Sequence, residues 1–339
     1  FGSIPAERVP QLIHWWPGFS FNNPELYRMD RRAVSDTVKA RIQDEITYLR
    51  KQEYGNCLAI KYSAKEIDEF EDEMAYDAIP ASITVRHGIT VCPARLRNVP
   101  SFAPQQPGNT QSRKTRWDLW NIGVVYIGRP VQVLHVSRSG EYLFVLSEAG
   151  YGWIEAREVA FGSKEEIDDF AGSADFVVST ADRTLLYSNA GCTIASGWFG
   201  MGSRLPLKHR SDPLMVALPV RKTNGSFAIE TAWVKNDDNV NVGYVPYTRR
   251  NVVRLAFQLL GNPYDWTGGW YGRQHDRIYI DIFACFGFNL PNHGTLFTFF
   301  NTNNTKVLQP DMGKDRYYAE INKNAPFITL QSCGGHCQL

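Results

Sequence analysis

The sequence predicts an α+β chain of several domains. A helical N-terminal region comes first, then two runs of short strands, each enough for a small β-barrel, then a C-terminal unit led by two helices. Three observations predict this. Apolar residues recur at helical spacing before residue 50, short alternating runs separated by turn residues fill the middle, and a capped helix running into a Gly-Gly loop opens the last part. A chain of 339 residues holds two or three domains. Its 43% apolar and 21% charged residues are ordinary for a globular protein. The net charge of +1 offers no footprint for nucleic acid or an anionic membrane. No apolar run approaches the ~20 residues that span a bilayer. Phe1-Gly2-Ser3-Ile4-Pro5 does not read as a signal peptide, so an exported form would be a mature one. The aromatic content of 13% suits sugar or peptide binding, although core packing accounts for most such residues.

In residues 1–80, Val34, Val38, Ile42, Ile46 and Leu49 recur at steps of four and three, which puts them on one helix face that Asp30 could cap. The acidic run from Glu66 to Glu73 reads as the solvated face of a further helix.

Residues 81–165 change to short strands. Ile83-Thr84-Val85 and Ile89-Thr90-Val91 flank His87-Gly88. Val131 to Val136 alternates, Ser137 to Gly140 supplies a turn, and Tyr142 to Leu146 and Gly152-Trp153-Ile154 follow. Residues 166–246 repeat the pattern with Leu205-Pro206-Leu207, Val216 to Lys222 and Val242 to Pro246, and Asn224-Gly225 marks a hairpin.

In residues 247–339, Thr248 can cap a helix and Gly261 can end it. Val252, Val253, Ala256, Phe257 and Leu260 are expected to form its buried stripe. Asn262-Pro263 forces a turn that carries Tyr264 and Trp266, with Gly268 and Gly269 behind; core packing is the plain reading of both aromatics. A second helix is expected after Asp276, with Ile278, Ile282 and Phe286 four apart and Gly287 at its end.

The six cysteines are scattered and make no disulfide framework. Cys333, His336 and Cys337 resemble metal ligands, but no fourth ligand stands at a matching spacing, so no zinc site is expected. A local Cys333–Cys337 disulfide stays open in an oxidising compartment. Cys285 lies near the far end of the second helix, where the dipole raises a thiol pKa; a buried core cysteine is expected. Cys337 adjoins His336, but neighbours on a strand point to opposite faces.

Leu260-Gly261-x-Pro263-Tyr264-x-Trp266, then Gly268-Gly269, Asp276, Phe286-Gly287-x-x-Leu290-Pro291 and the distant Gly335-His336 resemble the NlpC/P60 family of cysteine peptidases. Cys92 to Pro100, with Leu96-Arg97-x-x-Pro100, resembles the opening of bacterial SH3 domains, and Gly128-Arg129-Pro130-Val131 with Gly152-Trp153-Ile154 resembles their later strands. The resemblance covers nearly the whole chain. It implies a helical N-terminal region (1–80), a first SH3-like barrel (81–165), a second (166–246) and a papain-like NlpC/P60 domain (247–339) incomplete at its end. It implies hydrolysis of the γ-D-glutamyl–diamino-acid bond in peptidoglycan peptides with a free N-terminal L-Ala, without metal or nucleotide cofactor, in the bacterial cell envelope. His336 would be the general base, Tyr264 and Trp266 would hold the substrate, and Asp276 would bind its amine. The first barrel would wall the cleft. His293 and His275 are weaker candidates for any role.

Two departures stand out. Thr267 sits where the family has Trp directly before Gly-Gly, so a changed loop reach is expected. Arg277 follows Asp276 where the family has a nucleophilic Cys and a Ser. Three readings stay open: residues missing between Asp276 and Arg277, a deleted nucleophile, or a pseudoenzyme that binds wall peptides or acts as a scaffold. By the same resemblance, Gly335 to Leu339 would be the start of a strand, and the strand that would orient His336 is expected after it. An assembly component using its barrels for protein contacts is a further possibility.

Overall fold

The structure is a computed structural model. It describes residues 31–51, 54–55, 61–103, 106–107, 118–268, 272–273, 275–288, 313–323, 331–333 and 336–338. Asp30, Gly269, His293 and the first 30 residues lie outside them, as do the side chains of His275, Asp276, His336, Cys333 and Cys337.

Helix α1 (Arg31–Lys51) is followed by the short strand β1 (Tyr54–Gly55) and helix α2 (Ala64–Glu73). Helix α1 buries Val34, Val38, Ile42, Ile46 and Leu49 in one core with Trp120, Phe144 and Trp153. Helix α2 starts on a capping box between Ser63 and Glu66 and buries no residue. Its acidic face pairs with basic side chains: Arg50 reaches Asp68 at 2.8 Å and Glu71 at 2.5 Å, and Arg138 reaches Asp72 at 2.9 Å. Solvent screens such pairs, so each contributes little.

The first sheet comprises β2 (Arg86–Thr90), β3 (Ala94–Arg97), β5 (Asn121–Val125), β6 (Pro130–Val136), β7 (Tyr142–Ser147), β8 (Gly150–Glu155) and β9 (Val159–Gly162), in the order β5-β3-β8-β7-β6-β2-β9. A short strand β4 (Gln106–Pro107) pairs with β1 instead. His87-Gly88, expected as a link between two strands, lies inside β2, and Ile83-Thr84-Val85 is not strand. The glycine serves close packing here, not a turn: a Cβ on Gly88 would meet Val159 Cγ1 at 2.6 Å.

Helix α3 (Lys164–Ala171) follows, again on a capping box, Ser163 with Glu166. It lies across the expected 165/166 boundary and buries Ile167 and Phe170. The second sheet comprises β10 (Phe176–Ser179), β11 (Arg183–Tyr187), β12 (Ala195–Gly200), β13 (Arg204–His209), β14 (Leu214–Arg221), β15 (Phe227–Val234) and β16 (Val240–Val242), in the order β12-β11-β15-β14-β13-β10-β16. The β14–β15 hairpin pairs without slippage from Leu214↔Val234 to Arg221↔Phe227, and Gly225 turns it at φ +86°. The two sheets touch at β9, where Phe161 N donates to Gly225 O at 2.9 Å.

The C-terminal part contains α4 (Arg249–Gln258), α5 (His275–Ala284), α6 (Lys314–Asn322), β17 (Gln331–Cys333) and β18 (His336–Gln338). Helices α4 and α5 share a core with the second sheet through Val178, Met201, Val252, Leu255 and Ile282. No helix among the described residues is long and apolar enough to cross a membrane.

Candidate functional site

Helix α4 begins where Thr248 Oγ1 accepts from Asn251 N at 3.1 Å and ends before Gly261 at φ +91°. Its buried face is Val252, Leu255 and Leu259. This corrects the expected stripe: Val253, Ala256, Phe257 and Leu260 point outward, with Phe257 68% and Leu260 78% exposed. The helix is apolar on two faces, and at about 100° per residue the set 252/255/259 is the one turned to the core.

The loop beyond α4 folds back on itself. Arg273 N donates to Pro263 O at 2.9 Å, Asp265 N donates to Arg273 O at 3.2 Å, and Tyr264 bridges Arg273 in parallel. The fold-back leaves Tyr264 44% exposed and Trp266 half-buried. Thr267 is buried at φ +62°, a left-handed conformation that costs a β-branched residue strain. A bond to the first sheet holds it there. Thr267 Oγ1 donates to the Asn121 side-chain oxygen at 2.8 Å, while the Asn121 nitrogen reaches the carbonyls of Gly123 at 3.2 Å and Leu96 at 3.3 Å. The departure from the family pattern is thus the residue that ties this loop to the first sheet.

Helix α5 starts at His275, with Asp276 second and Arg277 third. Arg277 is 3% exposed. Its Nε lies 2.8 Å from Asp281 Oδ1 one turn on, its Nη1 donates to Val124 O at 3.1 Å, and its guanidinium lies 4.5 Å from the centroid of the Tyr126 ring. Asp281 also pairs with Arg273 and accepts from Tyr126 Oη at 3.0 Å. Arg273 in turn donates to Tyr126 Oη at 2.8 Å and, through Nε, to Asp182 at 2.8 Å. Five side chains, from just after β5, the β10–β11 turn and the α5 segment, thus form one ionic cluster, buried except at Asp182. Burial alone would lower both guanidinium pKa values, but Tyr126 and the Asp281 carboxylate, with Asp182 beside Arg273, leave both above the ordinary arginine value. Burial pushes the Tyr126 hydroxyl up.

Sequence reasoning missed this cluster. Its only sequence signal is the i,i+4 spacing of Arg277 and Asp281 on a helix otherwise turned to the core; Tyr126 and Asp182 carry no local signal.

The described cysteines are poor nucleophiles. Cys285 is fully buried in the turn after α5, its Sγ 3.4 Å from both Ser179 O and Asp281 O, and burial pushes its thiol well up. Burial, with Glu158 and Glu155 next, pushes Cys92 up to about 12. Burial also raises Cys192. A thiolate nucleophile needs the opposite shift. Strand β18, headed by His336, packs against α5, so the backbones bearing His336 and Asp276 belong to neighbouring elements. Among the described residues no group of three or more His, Cys, Asp or Glu could hold a metal ion.

Residues 104–155 match the SH3 domain model of SH3b1 type. Among solved structures, an NlpC/P60 endopeptidase from Photobacterium damselae subsp. piscicida superposes with a TM-score of 0.69 at 16% identity, over 85% of this chain and 64% of its own. An NlpC/P60 family protein from Bacillus cereus ATCC 10987 gives a TM-score of 0.41 at 17% identity, over 61% of this chain and 75% of its own. No curated protein matches by sequence. The chain therefore carries an SH3b-type domain within the fold of an NlpC/P60 endopeptidase, and it spans 64% of the Photobacterium protein's length.

Proposed function

We propose that this chain acts on cell-wall peptides, and that its reaction is hydrolysis of the γ-D-glutamyl–diamino-acid bond in peptidoglycan fragments with a free N-terminal L-Ala. The observation that carries the reading is the shared endopeptidase fold, in which the Tyr264–Thr267 loop leans on the first sheet through Asn121. Tyr264, half exposed on that loop, is the surface for the peptide, and Trp266 backs it. Asp276, in the first turn of α5, supplies the carboxylate for the free amine. His336, on the strand against α5, is the general base. Water adds across the amide, releasing L-Ala-D-Glu and the diamino acid. The substrate class puts the protein in the cell envelope.

One observation favours a second reading, in which the chain holds wall peptides without cutting them. The first turn of α5, where the helix dipole would stabilise a thiolate, carries His275, Asp276 and Arg277, and Arg277 is committed to a buried ion pair. The test is to incubate the full chain with L-Ala-γ-D-Glu-meso-diaminopimelate, following release of L-Ala-D-Glu by mass spectrometry and binding by calorimetry. Release supports hydrolysis. Binding without release supports the second reading. Neither binding nor release rejects both.

A further inference from the structure

A depression runs along α3, and none of its lining residues belongs to the Tyr264–Arg277 region. Its wider part is a groove of about 500 Å³ between α3 and strands β13 to β15, within the range of small-ligand pockets. The floor is apolar: Phe170, Pro206, Ala217, Phe227 and Ile229 line it, with Phe170 edge-on to Phe227 at 5.6 Å between centroids. The charged residues of this part are both acidic, Glu166 and Asp169, and both are exposed. Glu166 Oε2 also accepts from Ser163 N at 2.8 Å, which fixes the carboxylate's position without removing its charge.

Phe170, Ser173 and Pro206 continue into a narrow pit with about 10 Å³ of room for a water-sized centre, about the space of one oxygen atom. The charged residues of the pit are both basic, Arg129 from the first sheet's edge and Arg204 from β13. The Arg129 side chain is 7% exposed, with Nη2 donating to Gly202 O at 3.0 Å and Nε 3.3 Å from Glu148. Arg204 donates to Tyr244 Oη at 3.0 Å and to Ala171 O, and lies over the rings of Phe176, at 4.8 Å, and Tyr244, at 5.8 Å. Burial first, and then the like charge of Arg129, lower the Arg204 pKa, an effect an anion in the pit would oppose.

One depression thus has a cationic pit at one end, carboxylates at the other and an apolar floor between. We propose that it is a binding site for a short peptide with a free C-terminus, whose carboxylate sits at the mouth of the Arg129–Arg204 pit with one oxygen inside it, and whose amino group lies against Glu166 and Asp169. An arginine matches a carboxylate by geometry as well as by charge, and the apolar floor takes the intervening side chains. Neither pole alone would specify this ligand; the opposite signs on one connected surface do.

The test titrates the full chain with Lys-Ala-Ala as the free acid, as its C-terminal amide and with both amines acetylated, by calorimetry at low ionic strength. The free acid binds, the amide binds at least about tenfold more weakly, and acetylation and added salt both weaken binding. Asp169→Asn, an exposed change that leaves the core intact, weakens the free acid several-fold. Arg204→Gln, if folded by circular dichroism, abolishes the preference for acid over amide. Equal binding of acid and amide, or no binding of the free acid through the millimolar range, overturns the proposal. The peptide contains no γ-D-glutamyl bond, so its binding is independent of the reaction proposed above.

Discussion

Arg277 lies over the ring of Tyr126, with its guanidinium carbon 4.5 Å from the centroid. This contact turns the third residue of α5 inward, onto the first sheet. A side chain at position 277 faces a protein contact and not a bound peptide.

Arg277→Cys is therefore expected to give no gain of peptide hydrolysis, although it restores the Asp-Cys order of the family. The new thiol would be buried beside Asp281, which disfavours thiolate. Loss of one partner of a buried ion pair costs about 3–5 kcal/mol. A peptide-release assay and urea denaturation check both parts. Release of L-Ala-D-Glu by the variant would show that position 277 reaches the cleft.

Asp281 holds two guanidiniums and a phenol together, so its charge matters more than the hydrogen bond Tyr126 donates to it or the one Tyr126 accepts from Arg273. Asp281→Asn is expected to cost about 3–5 kcal/mol, because Arg273 and Arg277 are left as poorly compensated buried cations. Tyr126→Phe removes hydrogen bonds to charged groups and is expected to cost about 1.5–3 kcal/mol. Urea midpoints of the two variants give the order; a larger loss for Tyr126→Phe would contradict the account.

Burial, with Glu155 second, pushes Glu158 from 4.5 up to about 8. Burial, with Asp44 second, pushes Glu45 up to about 7. A carboxyl raised on folding binds its proton more tightly in the folded state. Its contribution is full below the unfolded value of 4.5 and is lost as pH rises through the folded value. Thermal stability is expected to fall between pH 4.5 and about 8, and Glu158→Gln is expected to flatten that fall. A variant with the same pH slope as the parent would remove Glu158 as its source.

Cys285 has no solvent exposure and a raised thiol pKa. It is expected to resist iodoacetamide in the native protein and to react fully once unfolded, as peptide mapping would show. Cys285→Ala is expected to leave any peptide release unchanged, since only the packing around Ser179 and Asp281 is altered.

Much of this architecture was legible in the chain. Apolar strand-like runs mark β6, β7 and β14, Asn224-Gly225 marks the β14–β15 hairpin, and Thr248 and Gly261 mark the ends of α4, because each signal is local; the alternation expected over 131–136 does not show in burial, since all of β6 but Val136 is buried. The Ser163-x-x-Glu166 box of α3 is an equally local signal. The inward face of α4 was not legible, since Val253, Phe257 and Leu260 are as apolar as the residues that are buried. Gly88 likewise gives no sign of its packing role until β9 is seen against it.

The sequence by itself determined several strands, the bounds of α4, the order of Tyr264, Trp266, Asp276 and His336, and the lack of a cysteine after Asp276. These are properties of residue type and short spacing. Only the tertiary structure decided what occupies the positions that depart from the family. Thr267 fastens its loop to Asn121, 146 residues away. Arg277 joins Asp281 to Tyr126 and Val124, the latter 153 residues away. Such pairings have no sequence signature, because a buried charge is tolerated only where distant segments bring it a partner and shut out water.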